Sequence, residues 1–372
     1  MSAEQTDPSM REAMAVLPGD SMRNQKGFTL IEVMVGMLIG LVVVIAAFAT
    51  LTMTQKSLRV NEQVVDMQQN VRMAMVLLSR DVKLAGFGSP GTAIGNCTNA
   101  IVPNDQNPSG ADTGPDSVQL LVPTIRSTGS NRWTLRLQTG SAGVTQLSLQ
   151  PGAIADMQSS GFTNVDPKSY ISIGGSATTQ ITNFDASTGT ITVPMIPPPL
   201  WFQQEDPIYL LQCIRYRVVQ APDPTNLCGG KAPCLTRGVA GVTTGPNAEA
   251  VIAEGIEDLQ LAYACDGCVA TINGGNPDRV IDDQNGNGSF DQADFLRNVS
   301  WAAAPRTPDT IQLVQIVLVA RQSRNDQGLG ETNAAVVGSS SQQITPDRLI
   351  PADPNHRRRV LRETVETRNV GL

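Results

Sequence analysis

The chain has 372 residues, of which 41% are hydrophobic and 16% charged, so it can bury a sizeable core in one large domain or two smaller ones, and disorder is excluded. A net charge of -7, a pI near 4.9 and only 4% aromatics argue against a phosphate-binding surface, and so against nucleic acid as a partner. The six cysteines form an even set, which a chain entering an oxidising compartment is expected to pair at least in part.

The N-terminal region carries the most informative pattern. Lys26-Gly27-Phe28-Thr29-Leu30-Ile31-Glu32-Val33 leads into a run without charge from Val33 to Gln55. As a helix that run is long enough to cross a bilayer core, which needs about 20 apolar residues. Arg23 and Lys26 precede it, which favours a cytoplasmic N-terminus and sends the chain after Lys56 outward. An ordinary secretory signal places its cleavage site after the apolar run. Here the polar break comes first, at Gly27. This resembles the class III leader of prepilins and pseudopilins, in which a dedicated peptidase cuts after the Gly and methylates the new N-terminal Phe, here Phe28. The resemblance implies a leader over 1–27, with Met1, Met10 and Met22 open as its start, and an apolar segment that stays on the mature protein.

Glu32 needs its own explanation. An ionised carboxylate beside the bilayer core costs about 2.5 kcal/mol or more without a partner. Thr29 and Glu32 have the Thr-x-x-Glu spacing of a capping box, which satisfies amides at a helix start. In the pilin resemblance the matching glutamate, fifth from Phe28, meets the N-terminal amine of a neighbouring subunit, pairing two charges otherwise isolated in apolar surroundings. Both roles fit the sequence.

Beyond Lys56 the pattern turns amphipathic. Val60, Val64, Met67, Val71, Ala74, Leu78 and Val82 recur at spacings of three and four, with Glu62, Asp66, Arg72 and Arg80 mainly elsewhere. No proline lies between Pro18 and Pro90. One helix over 28–85 is therefore expected, roughly 85 Å long at about 1.5 Å per residue, with its second half packed on a globular body. Gly86 to Pro115 is rich in Gly, Pro, Asn, Asp and Ser and reads as the helix stop and a long surface connection. Strands are expected at 117–122, 133–137, 144–149, 170–173, 190–193, 208–219, 310–320 and 359–367. The fold class is α+β, a long N-terminal helix on a mainly antiparallel sheet over 86–372. Clusters at Pro197 to Pro199 and Gly238 to Pro246 are candidate breaks between two lobes.

Three further segments narrow the resemblance. Glu254-Gly255-Ile256-Glu257-Asp258-Leu259-Gln260-Leu261-Ala262-Tyr263 with the Asp/Gly/Asn-rich loop after it, Arg357-Arg358-Arg359-Val360-Leu361 through Thr367-Arg368-Asn369, and Arg80-Asp81-Val82-Lys83-Leu84-Ala85-Gly86-Phe87-Gly88 resemble segments of PilW-like minor pilins of the type IV pilus. The resemblance implies a structural subunit and not an enzyme. Processed by the prepilin peptidase, it would cross the inner membrane once, with its body periplasmic. It would then join other minor pilins, the major pilin and a large tip adhesin to prime pilus assembly and sit at the tip. Minor pseudopilins of the J type from type II secretion systems share this layout and are the alternative. A tip adhesive or ligand-binding module is a third reading.

The remaining motifs bear on chemistry. No Gly-rich phosphate loop, serine nucleophile elbow or histidine metal motif occurs. The single histidine, His356, lies among Pro354, Asn355 and Arg357 and reads as a solvated surface residue. Cys265-Asp266-Gly267-Cys268 has redox spacing without a βαβ context, so a structural bridge is expected. Cys228 and Cys234 flank a Gly-Gly-Lys-Ala-Pro turn suited to a local bridge, which would leave Cys97 and Cys213 as a long-range pair, one of several connectivities the six cysteines allow. No cofactor is required by these patterns. The loop from Asp283 to Asp294 is nevertheless a candidate Ca²⁺ site: Asp283, Asn285 and Asn287 fall at positions 1, 3 and 5 of an EF-hand loop, Gly288 at the turn, the Ser289 carbonyl at 7, Asp291 at 9 and Asp294 at 12. A shorter acid replaces the usual bidentate Glu, and Val280-Ile281 reads as a strand end, so the expectation is an EF-hand-like loop, with a solvated Asn/Gly turn as the alternative.

Overall fold

One helix, α1 (Leu30–Leu84), opens the fold, and antiparallel strands make up most of the remainder, an α+β architecture. The computed structural model describes residues 27–370 except 89–92, 106, 108–109, 125–144, 166–168, 176, 195–204, 224, 231, 240–241, 243–247, 325–340 and 354. The leader up to Lys26, the strand expected at 133–137 and the cluster at Pro197 to Pro199 lie outside the described residues. The chain divides into two compact units, 1–55 and 56–372.

In the first unit every described residue is exposed, as suits a segment that is apolar on all sides. In the second unit α1 changes character. Met67, Val71, Ala74, Leu78 and Val82 are buried at the expected spacing, joined by Met75, Ser79 and Asp81. The helix stops where Gly86 takes a φ of 80°. That left-handed cap suits glycine, and a Cβ there would also run into the Asn369 carbonyl. The Gly86 N–H donates to the Leu121 carbonyl at 2.9 Å, which anchors the helix end on the first sheet.

In chain order the elements after α1 are β1 (Ile101–Asn104), β2 (Ser117–Thr124), β3 (Gln146–Ser148), α2 (Ala153–Ser159), β4 (Tyr170–Ile173), β5 (Ala177–Gln180), β6 (Asn183–Asp185), β7 (Thr190–Thr192), β8 (Ile208–Val219), β9 (Cys234–Val239), β10 (Ala250–Glu254), β11 (Ile256–Cys265), β12 (Ile311–Arg321), β13 (Gln342–Thr345), β14 (Arg348–Ile350) and β15 (Arg358–Glu366). The long strand β8 is the spine of the largest sheet. One edge pairs with β2, and the other takes β4 at its start and β9 at its end, with β1, β5 and β10 outside these. A second sheet runs β11-β12-β15, with the apolar β12 in the middle, while β3-β7-β6 and β13-β14 form two smaller ones.

The main core lies among the second half of α1, the large sheet and β11–β12, and holds Leu78, Leu120, Ile214, Tyr216, Leu261 and Ile316. A second core gathers α2, β3, β4, β5, β7 and the start of β8 around Ile154, Met157, Ile171 and Ile208. β8 contributes to both, so the two cores share a strand. Within the stretch from Gly86 to Pro115, expected as a surface connection, several described residues are drawn inward instead. The Cys97–Cys213 disulfide ties it to β8, and Ile94, Cys97, Ile101 and Asp112 are buried.

Candidate assembly site

Gly27, Phe28 and Thr29 are irregular, and the helix begins at Leu30. The Thr29 hydroxyl accepts the Glu32 N–H at 3.3 Å, the forward half of a capping box. Among the described residues the Glu32 carboxylate makes neither the return bond to Thr29 nor an ion pair. Around it Leu30, Ile31, Met34, Leu38, Leu41, Ile45 and Phe48 are exposed on successive faces, and the segment is long and apolar enough to cross a membrane.

At its other end α1 is clamped by charge. Asp81 is buried, and its Oδ2 accepts the Tyr216 hydroxyl and the Arg237 Nε, both at 2.7 Å, while Oδ1 accepts Arg80 Nη2 at 2.9 Å. Burial and the charge of Asp81 push the Tyr216 phenol well up. The other two segments that carry the resemblance lock onto the same body. Arg358 on β15 reaches across β12 to grip both oxygens of Glu257 on β11 at 2.7 Å, and Arg348 holds the fully buried Asp258 at 2.6 Å. Asn369 Nδ2 donates to the Lys83 carbonyl at the end of α1. None of these pairs was assigned from sequence. The available signal was a charge inside an apolar stripe, Asp81 beside Leu78 and Val82, and Asp258 between Ile256 and Leu259.

The cysteines pair as Cys97–Cys213, Cys228–Cys234 and Cys265–Cys268. Behind the last pair, buried Asp282 accepts the N–H groups of Gly267, Cys268 and Val269, so its carboxylate shapes the turn that carries the bridge. His356 differs from its expected place in solvent. It is half-buried with Nδ1 2.8 Å from Asp353, because Asp353 also engages Arg321 and holds the turn against β12.

The loop from Asp283 to Asp294 folds on itself. Asp283 accepts the N–H of Gly286 at 2.7 Å and of Gly288 at 2.6 Å; Asn285 and Asn287 turn their oxygens to the N–H of Asn287 and Ser289, and their amides to Asp291. Asp294 is fully buried and caps a short 3₁₀ turn, accepting the N–H of Asp291 and Gln284. The bonds from Gly288 and Ala293 hold the Asp283 and Asp291 carboxyls below the usual range. Val280 and Ile281, expected as a strand end, are irregular, since among the described residues no strand pairs with them.

An apolar helix behind a Gly-Phe junction, followed by a β-rich body stapled by disulfides, is similar to the layout of pilin-like proteins. Residues 22–48 match the prokaryotic N-terminal methylation motif, and residues 221–369, covering β9 to β15, match the family described as Type IV Pilus-assembly protein W. The two matches support a PilW-like minor pilin of the type IV pilus, a family of structural pilus-assembly proteins. They imply processing by prepilin peptidase and contact with other pilus components. Neither a curated relative nor a solved structure matches the chain significantly.

Proposed function

We propose that this chain primes assembly of the type IV pilus and enters its tip complex, in company with other minor pilins, the major pilin and a large tip adhesin. The observation that carries the reading is the segment from Leu30 to Leu58, exposed throughout and holding one carboxylate, Glu32, without an ion-pair partner among the described residues. In apolar surroundings that carboxylate costs about 2.5 kcal/mol or more. Cleavage after Gly27 creates an amine at Phe28, and the amine of a neighbouring subunit offsets the cost when helices bundle. Before assembly the chain crosses the inner membrane once, N-terminus cytoplasmic, with its body in the periplasm, where oxidising conditions suit the three disulfides. A calcium ion held by Asp283, Asn285, Asn287, the Ser289 carbonyl, Asp291 and Asp294 belongs to the same proposal.

Glu32→Ala should insert and be cleaved, yet enter pili and minor-pilin complexes isolated in mild detergent at a reduced level. Glu32→Gln keeps the capping geometry but not the charge, and should fail in the same way. Unchanged assembly of both variants removes the intersubunit role, and full assembly of Glu32→Gln alone reduces Glu32 to a helix cap.

A further inference from the structure

Four aspartates from separate parts of the body meet beside β1 and the β13–β14 turn. Asp105 follows β1, Asp112 and Asp116 precede β2, and Asp347 lies between β13 and β14. Carboxylate oxygens of Asp105, Asp112 and Asp116 all lie within 4.8 Å of one another. Asp347 is brought in by the backbone: its carbonyl accepts the Asp112 N–H at 3.2 Å, and Asp112 forms a parallel bridge with Arg348.

This is not a crowd of solvated surface acids. Asp112 is 6% exposed, and both of its carboxylate oxygens are buried with no hydrogen-bond donor. Asp347 Oδ1 and Asn298 Oδ1 are buried without a donor as well. Asn298 belongs to the same assembly, since its backbone N–H donates to Asp105 Oδ2 at 2.7 Å and its side-chain amide donates to the Gly110 carbonyl. The second bond settles which end of the amide is oxygen, because the reverse orientation would set Oδ1 against a carbonyl. Burial, then the charges of Asp105 and Asp347, push the Asp112 carboxyl up to about 7, and burial raises Asp105 too. The charge of Arg348 offsets part of the Asp112 rise, but Arg348 makes no side-chain bond to the Asp112 carboxylate. Its Nε and Nη2 are held by Asp258 at 2.7 and 2.6 Å, and its Nη1 reaches only the backbone carbonyl of Asp112.

A shared proton can join two of these oxygens, but it leaves the other donorless oxygens as they are. The groups gathered here are acceptors, and what satisfies several acceptors at one point is a cation. We propose that Asp105, Asp112, Asp116 and Asp347 form a divalent-cation site of the calcium class, with Asp112 at its centre. An all-oxygen set without His or Cys favours Ca²⁺ over zinc. Its irregular origin on separate segments suits an ion that takes about six to eight oxygens in flexible geometry better than octahedral Mg²⁺. Bound there, the ion ties the segment after β1, the Asn298 loop and the β13–β14 turn together. Asp105 also lines a cleft of about 480 Å³ with Asn104, Val299 and Trp301, so the ion fixes one wall of that cleft. The site is separate from the 283–294 loop, which contributes none of these four aspartates; Asp105 and Asp116 also accept backbone N–H groups, of Asn107, Asn298 and Leu261, and the donorless oxygens are those of Asp112, Asp347 and Asn298.

The test uses full-length protein in detergent, stripped of metal with a chelator and titrated with calcium while thermal unfolding is followed. Protein carrying Asp283→Ala and Asp291→Ala, which disables the EF-hand-like loop, should keep a calcium-dependent rise in Tm of about 2–4 °C at about ten times Kd. Adding Asp112→Asn should abolish that rise and should lift the metal-free Tm, because an amide removes the repulsion and supplies a donor. Asp347→Asn should weaken calcium binding by about tenfold or more. No calcium-dependent rise in the loop variant overturns the proposal. A rise that survives Asp112→Asn, or a metal-free Tm that this substitution lowers, overturns it equally.

Discussion

Replacing Asp81 by Ala removes the acceptor on which Tyr216 and Arg237 converge, and the structure sets the size of the loss. Removing one member of a buried ion pair costs about 3–5 kcal/mol, because the remaining charge stays behind without compensation. Arg237 keeps 27% of its side chain in water, whereas the Asp81 side chain keeps 2%. Solvent can therefore take over part of the guanidinium charge, which places the expected loss near the lower end, about 3 kcal/mol. Tyr216 is fully buried, and its hydroxyl loses the carboxylate acceptor it reaches at 2.7 Å. Tyr216→Phe should cost less, about 1–2 kcal/mol, since it removes the donor together with its need for a partner. Urea unfolding of the full chain in detergent, followed by the circular dichroism of the body, measures both. The double variant Asp81→Ala with Arg237→Met should recover part of the loss, with a coupling of about 1 kcal/mol or more. A loss below about 1 kcal/mol for Asp81→Ala, or a double variant no better than the single one, would refute the clamp.

Mass spectrometry of protein from the membrane should find Phe28 at the mature N-terminus carrying one methyl group, and Gly27→Glu should leave the precursor uncut; any N-terminus before Phe28 in the assembled protein defeats this. Burial acts to raise the Glu249 carboxyl, but bonds from Arg217 and Thr236 and the charges of Arg217 and Arg215 prevail and bring it down to about 2. A folded value below the unfolded one of about 4.3 means stability that is present above pH 4.3 and lost as pH falls toward 2. Both arginines are about a third exposed, so Glu249→Gln should cost about 1–2 kcal/mol at pH 7 after solvent screening, with the cost small by pH 2 and vanishing below it; a difference from wild type that does not shrink with acid contradicts the assignment. For the 283–294 loop, Asp283→Ala with Asp291→Ala should weaken calcium binding by full-length protein in calorimetric titration, and an unchanged isotherm counts against that site. Asp294→Ala is a poor probe there, because Asp294 also caps a buried turn.

What the sequence makes legible depends on how local the determining contacts are. The helix could be read because its apolar pattern is long and uninterrupted, and the faces expected at Met67, Val71, Ala74, Leu78 and Val82 are the buried ones. β4 and β8 fall on their expected bounds, since β-branched and apolar residues there stand between clear turn residues. By contrast β5, β6 and β9 hold Thr179, Asn183 and Arg237 and lack a clean apolar stripe. They are strands because a neighbour offers an edge, which is tertiary context overriding propensity. The helix α2 has 7 residues, too few for a helical period to show. Asp81 was hidden for a related reason, because its partners Tyr216 and Arg237 are supplied by β8 and β9 far along the chain.

The two acidic groups of the body mark the limit of local reading. In the loop from Asp283 to Asp294 the carboxylates find their donors within the loop itself, as Asp283 does in Gly286 and Gly288 and Asp294 in Gln284 and Asp291, so spacing alone exposes the pattern. No spacing relates Asp112 to Asp347; they meet because the backbone beside Arg348 bridges the segment before β2. The bonds to Asp283 and Asp291 hold those carboxyls low, whereas burial and the charges of Asp105 and Asp347 push Asp112 up. A buried carboxylate of that kind weakens the fold it sits in, and an asparagine of the same shape would weaken it less. The proposed ion would supply positive charge among those oxygens, which is why the metal-free Tm of Asp112→Asn is the sharpest single measurement of whether this body was built around an ion.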